Sequence, residues 1–310
     1  TPVAVTITLF DNAAIDALLQ DPAAREQAIE TCLEVMAVHG ADGVNIDFEF
    51  VPGSSRDAFV TFMADLKLAV MDAQPNGGDG HVTLAGPAVD WTEGYDYDAL
   101  LAVTDGIMVM GYGYHYGGGD PGPNAPLFGG GIWGPYSVAW TIDDYLSHGG
   151  DSYRDRIFFG LPWYGRRWPV ANTAVPGTSL GTGKAVWFDV ALSEAAQYGA
   201  TYDVDSHTPY YHKESDGVLW QVWYDDVASF GEKLAYIDDQ GLGGIGLWAL
   251  GYEGDEAGYW AAIAEQFTAS IVAPPDEVEF PDAGATSPTS DVVSEEVDST
   301  GPEEPEVGPE

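Results

Sequence analysis

The sequence predicts an α/β fold: a parallel sheet with helices packed on both faces. Three observations predict it. Short apolar, β-branched runs alternate with segments of helical periodicity. The 310 residues are 45% hydrophobic and include ten Trp, enough to build a full-sized core. The length also suits a single α/β barrel, a fold of about 250 residues.

Val3–Phe10 (VAVTITLF) is a β-branched run and forms the first strand. Asp21–His39 places Ala24, Ala28, Cys32, Val35 and Met36 at helical spacing. Gly43–Phe50 (GVNIDFEF) is the second strand. Arg56–Asp72 is an amphipathic helix with Phe59, Phe62, Met63, Leu66 and Val70 on one stripe. Val82–Ala88, Gly106–Gly111 and Ile157–Leu161 supply the third, fourth and fifth strands, and Gly244–Leu250 (GIGLWAL) the sixth. The stretch Arg166–Asp239 is longer than one crossover needs. It holds β-like pieces at Lys184–Asp189 and Val218–Tyr224 and a helix over Val227–Asp238. A small α+β insertion at about 166–239, before the last strand, is therefore expected.

Charge excludes several function classes. Ten Lys and Arg stand against fifty Asp and Glu, a net charge of −40. Nucleic-acid binding needs cations to displace phosphate counterions, and docking on an anionic membrane needs the same. No apolar run reaches the roughly 18–20 residues of a membrane span. The single cysteine, Cys32, rules out an internal disulfide and a Cys-based zinc site. The six His show no H-x-x-x-H spacing, so no metal or other cofactor is expected.

The composition shifts near Ile271. Val272–Glu310 contains twelve acidic residues, seven Pro and no Lys, Arg or His. Such a segment buries too little apolar surface to offset its ordering entropy. Residues 271–310 are read as a disordered acidic tail, and residues 1–270 as the folded domain. The folded part still carries a charge of −28. A carboxylate-dense surface favours solubility in high salt, so a saline habitat is the expectation. Lacking an initiator Met and a signal peptide, the sequence reads as a processed chain or a fragment.

The chemistry concentrates in Asp42–Glu49 (DGVNIDFE). Alternate residues of a strand share a face. Val44, Ile46 and Phe48 then meet the helices, while Asn45, Asp47 and Glu49 line the other face and converge at the strand's C-terminal end. Two carboxylates at that spacing in a half-buried setting push one pKa upward, which suits general acid catalysis.

DGVNIDFE resembles the D-G-x-D-x-D-x-E signature of glycoside hydrolase family 18, the chitinase-like enzymes. Other segments resemble that family in the expected order. They are VTLAGPA, Met108–Tyr116 (MVMGYGYHY), Leu161–Trp168 (LPWYGRRW) and GGIGLWALGYEG, so the resemblance runs over about residues 3–268. It implies a TIM-type (β/α)8 barrel and retaining hydrolysis of β-1,4-linked N-acetylglucosamine glycans, either chitin or peptidoglycan. In that scheme the substrate's own acetamido carbonyl attacks the anomeric carbon, an exception to the two-carboxylate scheme.

The resemblance also implies roles. Glu49 is the general acid and later the base. Asp47 orients the acetamido group, and Tyr112 donates its hydroxyl to it. Trp248 forms the floor beneath the sugar ring, and Asn45, beside the acidic pair, binds substrate. Tyr164 and Arg166 hydrogen-bond the sugar, Met110 packs under the pocket, and Trp91 is a subsite platform. His115 is expected to be a loop residue.

Three departures from the family pattern stand out. Asn45 replaces the middle Asp of the signature, and Gly113 replaces the Asp or Asn that follows the tyrosine. Only one strand precedes the acidic one, where the family has three, so the barrel is expected to lack its first two β/α units. Two other readings remain: a non-catalytic chitinase-like lectin, and an endoglycosidase acting on N-linked glycans. A polymeric substrate and an acidic tail point to an extracellular or periplasmic setting.

Overall fold

The computed structural model describes residues 2–73 and 80–267. The acidic tail expected at 271–310 lies outside the described residues.

The chain opens with strand β1 (Ala4–Leu9), helix α1 (Asn12–Gln20) and helix α2 (Pro22–His39). Asp11 and Asp21 cap the two helices by accepting from the amides of Ala14 and Ala23. Pro22 opens α2, and Gly40 closes it in the left-handed conformation at φ 61°. The short helix α1 escapes sequence periodicity because only Ile15 and Leu19 anchor it in the core.

Strand β2 (Gly43–Phe48) is followed by helix α3 (Arg56–Ala73), strand β3 (His81–Gly86), helix α4 (Tyr97–Val103) and strand β4 (Gly106–Met110). Helix α5 (Val138–Ser147) then leads to strand β5 (Ile157–Pro162).

The chain next builds strands β6 (Tyr164–Pro169) and β7 (Lys184–Trp187), helix α6 (Phe188–Tyr198), and strands β8 (Thr201–Asp203), β9 (Thr208–Ser215) and β10 (Val218–Trp223). Helix α7 (Val227–Asp239) returns it to strand β11 (Gly244–Trp248), and helix α8 (Ala257–Phe267) ends the described part.

The first five strands and β11 form one parallel sheet in the order β1-β2-β3-β4-β5-β11. Its helix-facing side is the core. Val44, Ile46, Val82, Leu84, Ile107, Val109 and Phe159 are fully buried there, against Phe59, Phe62, Leu66, Leu100 and Ile142. Phe48 stacks at 6.1 and 5.8 Å on Phe59 and Phe62, the helix α3 stripe that the spacing predicts. Among the described residues β1 and β11 are the two edges of this sheet, and Thr6, Thr8 and Trp248 on them are exposed.

Strands β6 to β10 form a second, antiparallel sheet in the order β7-β6-β10-β9-β8. A tryptophan cluster of Trp133, Trp168 and Trp223 packs it from within. The structure corrects the expected insertion in two respects. The antiparallel segment starts at Tyr164, one residue after β5, and Phe188 and Asp189 belong to helix α6 rather than to strand. Helix α7 lies against α8 and β11, so it is the crossover helix of the parallel sheet and not part of the antiparallel unit. Its capping box, Asp226 with Ser229, sets the point where the chain leaves β10. Among the described residues no helix is long and apolar enough to cross a membrane.

Candidate active site

The site is assembled at the C-terminal ends of the parallel strands, where α/β sheets bind ligands because the strand ends and their loops converge there. Strand β2 ends at Phe48, so Glu49 stands just beyond the ladder, its amide donating to Leu9 O at 3.0 Å. Phe50, next in line, has φ 60°, a conformation costly for an aromatic residue and typical of functional turns.

Asn45 and Asp47 are half-buried on the face opposite Val44, Ile46 and Phe48, as alternation requires. Asn45 Oδ1 accepts from Thr83 Oγ1 at 2.9 Å. Asp47 Oδ1 is buried with no hydrogen-bond partner among the described residues. Burial raises the Asp47 carboxyl above its ordinary range. Lost hydration on burial is the cause.

A prediction follows from the sign of that shift. A carboxyl whose pKa is raised by folding lowers stability as pH climbs from its unfolded value through its folded one. Asp47→Asn removes the buried charge while keeping the shape. The variant is expected to melt a few degrees above the parent at pH 7, with the gap closing below about pH 4. Thermal melts across pH check this, and equal melting temperatures at pH 7 would count against the buried charge.

The loop after β3 braces the acidic strand from outside. Asp90 accepts from the amides of Thr92, Gly94 and Tyr95 at 3.0–3.3 Å, folding the loop back on residues 48–51. Gly94 has to be glycine, since a Cβ there would lie 1.8 Å from Val51 O. The buried Tyr95 hydroxyl donates to Phe48 O. Burial first, then the charges of Asp90, Glu49 and Asp47, hold its pKa well above the ordinary phenol value. It therefore stays a donor that fixes the backbone one residue before Glu49. Trp91, on the same loop, is 66% exposed and meets Tyr136 edge-on at 4.9 Å.

The loop after β4 carries Tyr112. Its ring meets that of Tyr164 at 6.0 Å, 69° apart. Asn124, buried, accepts from Gly113 N at 3.2 Å and donates to Tyr164 O at 3.1 Å, binding the Tyr112 loop to β6. Gly113 itself has φ 78°, open to glycine without strain. Arg166 is buried, with its guanidinium 6.0 Å from the Tyr164 ring centroid. A hollow of about 450 Å³ beside this arginine is lined by Gly117–Asp120, Ser179, Gly181 and Thr182.

Met110 is half-buried and paired with Gly160. Met108, two residues earlier on the same face, fills more of the space under the site. Cβ atoms at Gly160 and Gly246 would come within 3.3 and 2.6 Å of its Cε. Trp248 ends β11, half exposed, with its carbonyl accepting from Trp163 N at 2.7 Å. The bond from Trp248 to Ala249 is a cis peptide.

His115 Nδ1 donates to Asp120 O, its ring packs edge-on against Trp133, and burial lowers its pKa. Among the described residues no group of three His, Cys, Asp or Glu side chains is arranged to hold a metal ion.

Four contributors escaped sequence reasoning: Thr83, Tyr95, Met108 and Asn124. The Asp-Trp-Thr-Glu-Gly-Tyr stretch carries turn signals that mark the Asp90 loop. Nothing local marks Asn124, whose two bonds reach eleven and forty residues away.

Comparison with known proteins fits this geometry. A provisionally named sporulation-specific glycosylase of Bacillus subtilis is 29% identical over 262 residues, covering 81% of this chain and 57% of that protein. The cortical fragment-lytic enzyme of Bacillus anthracis is 24% identical over 278 residues, covering 85% of this chain and 60% of that protein. The chain thus spans little more than half the length of these curated relatives. The C-terminal domain of a provisionally named chitinase from Desulfitobacterium hafniense superposes with a TM-score of 0.71 at 28% identity, covering 86% of this chain and 78% of that one. That likeness places the parallel sheet in the (β/α)8-barrel class, to which the described residues contribute six strands. The model for glycosyl hydrolases family 18 matches residues 11–253, more than half of the sequence, and the chain belongs to that family.

Proposed function

We propose that this domain hydrolyses β-1,4-linked N-acetylglucosamine glycans with retention, using the substrate's acetamido group as the nucleophile. The carrying observation is the pair Asp47 and Glu49 at the end of β2, with a buried Asp47 Oδ1 that has no donor among the described residues. An acetamide N–H is the donor that would satisfy it. Asp47 then holds the acetamido carbonyl against the anomeric carbon and offsets the positive charge that forms on the cyclic intermediate. Glu49 protonates the departing glycosidic oxygen and afterwards takes a proton from the incoming water. In this reading Tyr112, whose loop is tied to β6 by Asn124, donates to the acetamido oxygen. Trp248 offers an exposed ring face to the C–H face of the sugar.

The names of the relatives point to chitin and to spore cortex, so both glycan types belong in the test. A protein of charge −40 repels anionic peptidoglycan at low salt, which favours neutral chitin; the NIDFEF wording leans toward wall-lytic relatives. A polymer substrate of either kind places the domain outside the cytoplasm.

The test uses a fluorogenic N,N′-diacetylchitobioside, chitin oligomers and isolated peptidoglycan strands, with the anomeric configuration of fresh product read by NMR. Release of the β-anomer first is expected. Oligomer binding without hydrolysis by the folded chain would replace this reading with the lectin one, and oligosaccharide release from a glycoprotein alone would replace it with the endoglycosidase one.

A further inference from the structure

We propose that Trp187 and Tyr252 form a second glycan platform. It extends the site toward the antiparallel sheet and takes an uncharged pyranose of a bound β-linked amino-sugar chain. The proposal rests on the function proposed above and names a subsite of that same cleft.

The topology supports continuity. Trp187 pairs with Tyr164 across the antiparallel β6–β7 ladder, and directly opposed residues there project to the same face. Tyr164 uses that face to meet Tyr112. Trp187 is therefore the next ring along the wall of the site. Trp248 lies on the same rim from the other side, because it pairs with Pro162 and accepts from Trp163 N, immediately before β6. Tyr252, four residues beyond Trp248, closes the circuit by stacking on Trp187 at 5.5 Å and 17°.

The stack is exposed yet rigidly held. Trp187 is 50% exposed, which leaves a large apolar side chain half in solvent. Tyr252 stacks on its ring, and half of the tryptophan surface stays open to solvent. Backbone bonds fix both residues: Phe188 N donates to Tyr252 O at 3.2 Å, and Tyr252 N to Ala249 O at 3.1 Å. Glu253 ties the loop further, accepting from Gly251 N at 2.7 Å and from Trp260 Nε1 at 3.1 Å. A preorganised flat aromatic face costs little ordering entropy on binding, and a pyranose presents a matching flat C–H face.

Charge selects the ligand. Asp189, Glu253, Asp255 and Glu256 lie within four residues of the stack along the chain, with one cation, Lys184, at the far end of β7. That setting repels an anionic glycan and leaves a neutral one unopposed.

Binding of N-acetylglucosamine oligomers of two and six units is measured by calorimetry in the Glu49→Gln chain, which holds ligand without cleaving it. The same titrations follow in Glu49→Gln/Trp187→Ala and Glu49→Gln/Trp187→Phe, with thermal melts to verify folding. Trp187→Ala is expected to weaken six-unit binding about tenfold, with a smaller loss for the two-unit ligand and partial recovery by Phe. Equal six-unit affinity, or an equal loss at both lengths, overturns the platform while leaving the proposed function intact. Failure of the Glu49→Gln chain to bind either oligomer overturns the platform, and failure to bind peptidoglycan strands as well overturns both. A hexasaccharide alternating glucuronate with N-acetylglucosamine is expected to bind more weakly than the neutral hexamer at low salt, and tighter binding overturns the charge selection.

Discussion

Replacing Glu49 by Gln is expected to lower glycan hydrolysis by roughly 10²–10⁴-fold, with little change in oligomer affinity. Gln keeps the size and hydrogen-bonding reach of the side chain but has no proton to give the leaving oxygen. Substrate binding depends on the ring platforms and polar wall, which the substitution leaves in place. The loss should therefore fall on kcat rather than on KM. The backbone around the residue is set independently, by the Glu49 amide to Leu9 O, by Tyr95 to Phe48 O, and by the Asp90 turn packed on Val51. The variant should accordingly melt close to the parent. An activated substrate with a good leaving group, such as a nitrophenyl glycoside, should recover part of the rate, because it needs less proton assistance. Unchanged hydrolysis by Glu49→Gln would remove the residue from the mechanism.

The largest stability effect is expected at Lys233. Its ammonium is fully buried and ion-paired with Asp225, itself 3% exposed. Asp225 also accepts from Ser229 Oγ at 2.7 Å, and its backbone oxygen accepts from Tyr259 Oη at 2.7 Å. One cluster thus joins the end of β10 to α7 and α8. Burial pulls both groups toward their neutral forms, raising the carboxyl and lowering the ammonium, while their mutual attraction opposes this. Lys233→Met leaves the carboxylate buried without its counter-charge. The expected cost is ~3–5 kcal/mol, a fall in Tm on the order of 10 °C. Adding Asp225→Asn should restore much of the loss, because no uncompensated charge then remains. Denaturant melts of the single and double variants check this, and a single variant as stable as the parent refutes it.

The two predictions draw on different kinds of legibility. Glu49 is visible in the sequence because a strand has period two. Once GVNIDFEF is read as a strand, its apolar residues must face the helices and its acids the other side. The helix α3 stripe and the central strands β2 to β4 are legible for the same reason: burial of their apolar residues writes itself into the spacing. Lys233 gave no such signal. A lysine in an amphipathic helix reads as a solvent-facing residue, and only the tertiary burial of its ion pair with Asp225 decides otherwise.

The sequence by itself determined the α/β class, the acidic strand and its facing, and the order of the segments that resemble family 18. These depend on local periodicity and on contiguous motifs. Tertiary structure alone decided that α7 belongs to the parallel sheet rather than to the insertion, and that Tyr95 and Asn124 brace Glu49 and Tyr112. It alone set Trp187 beside Tyr164 and Tyr252. Those pairings join residues between eleven and sixty-five positions apart in sequence. Such contacts form only when the closing of long loops is repaid by packing, and no pattern within one element records which distant partner will be met.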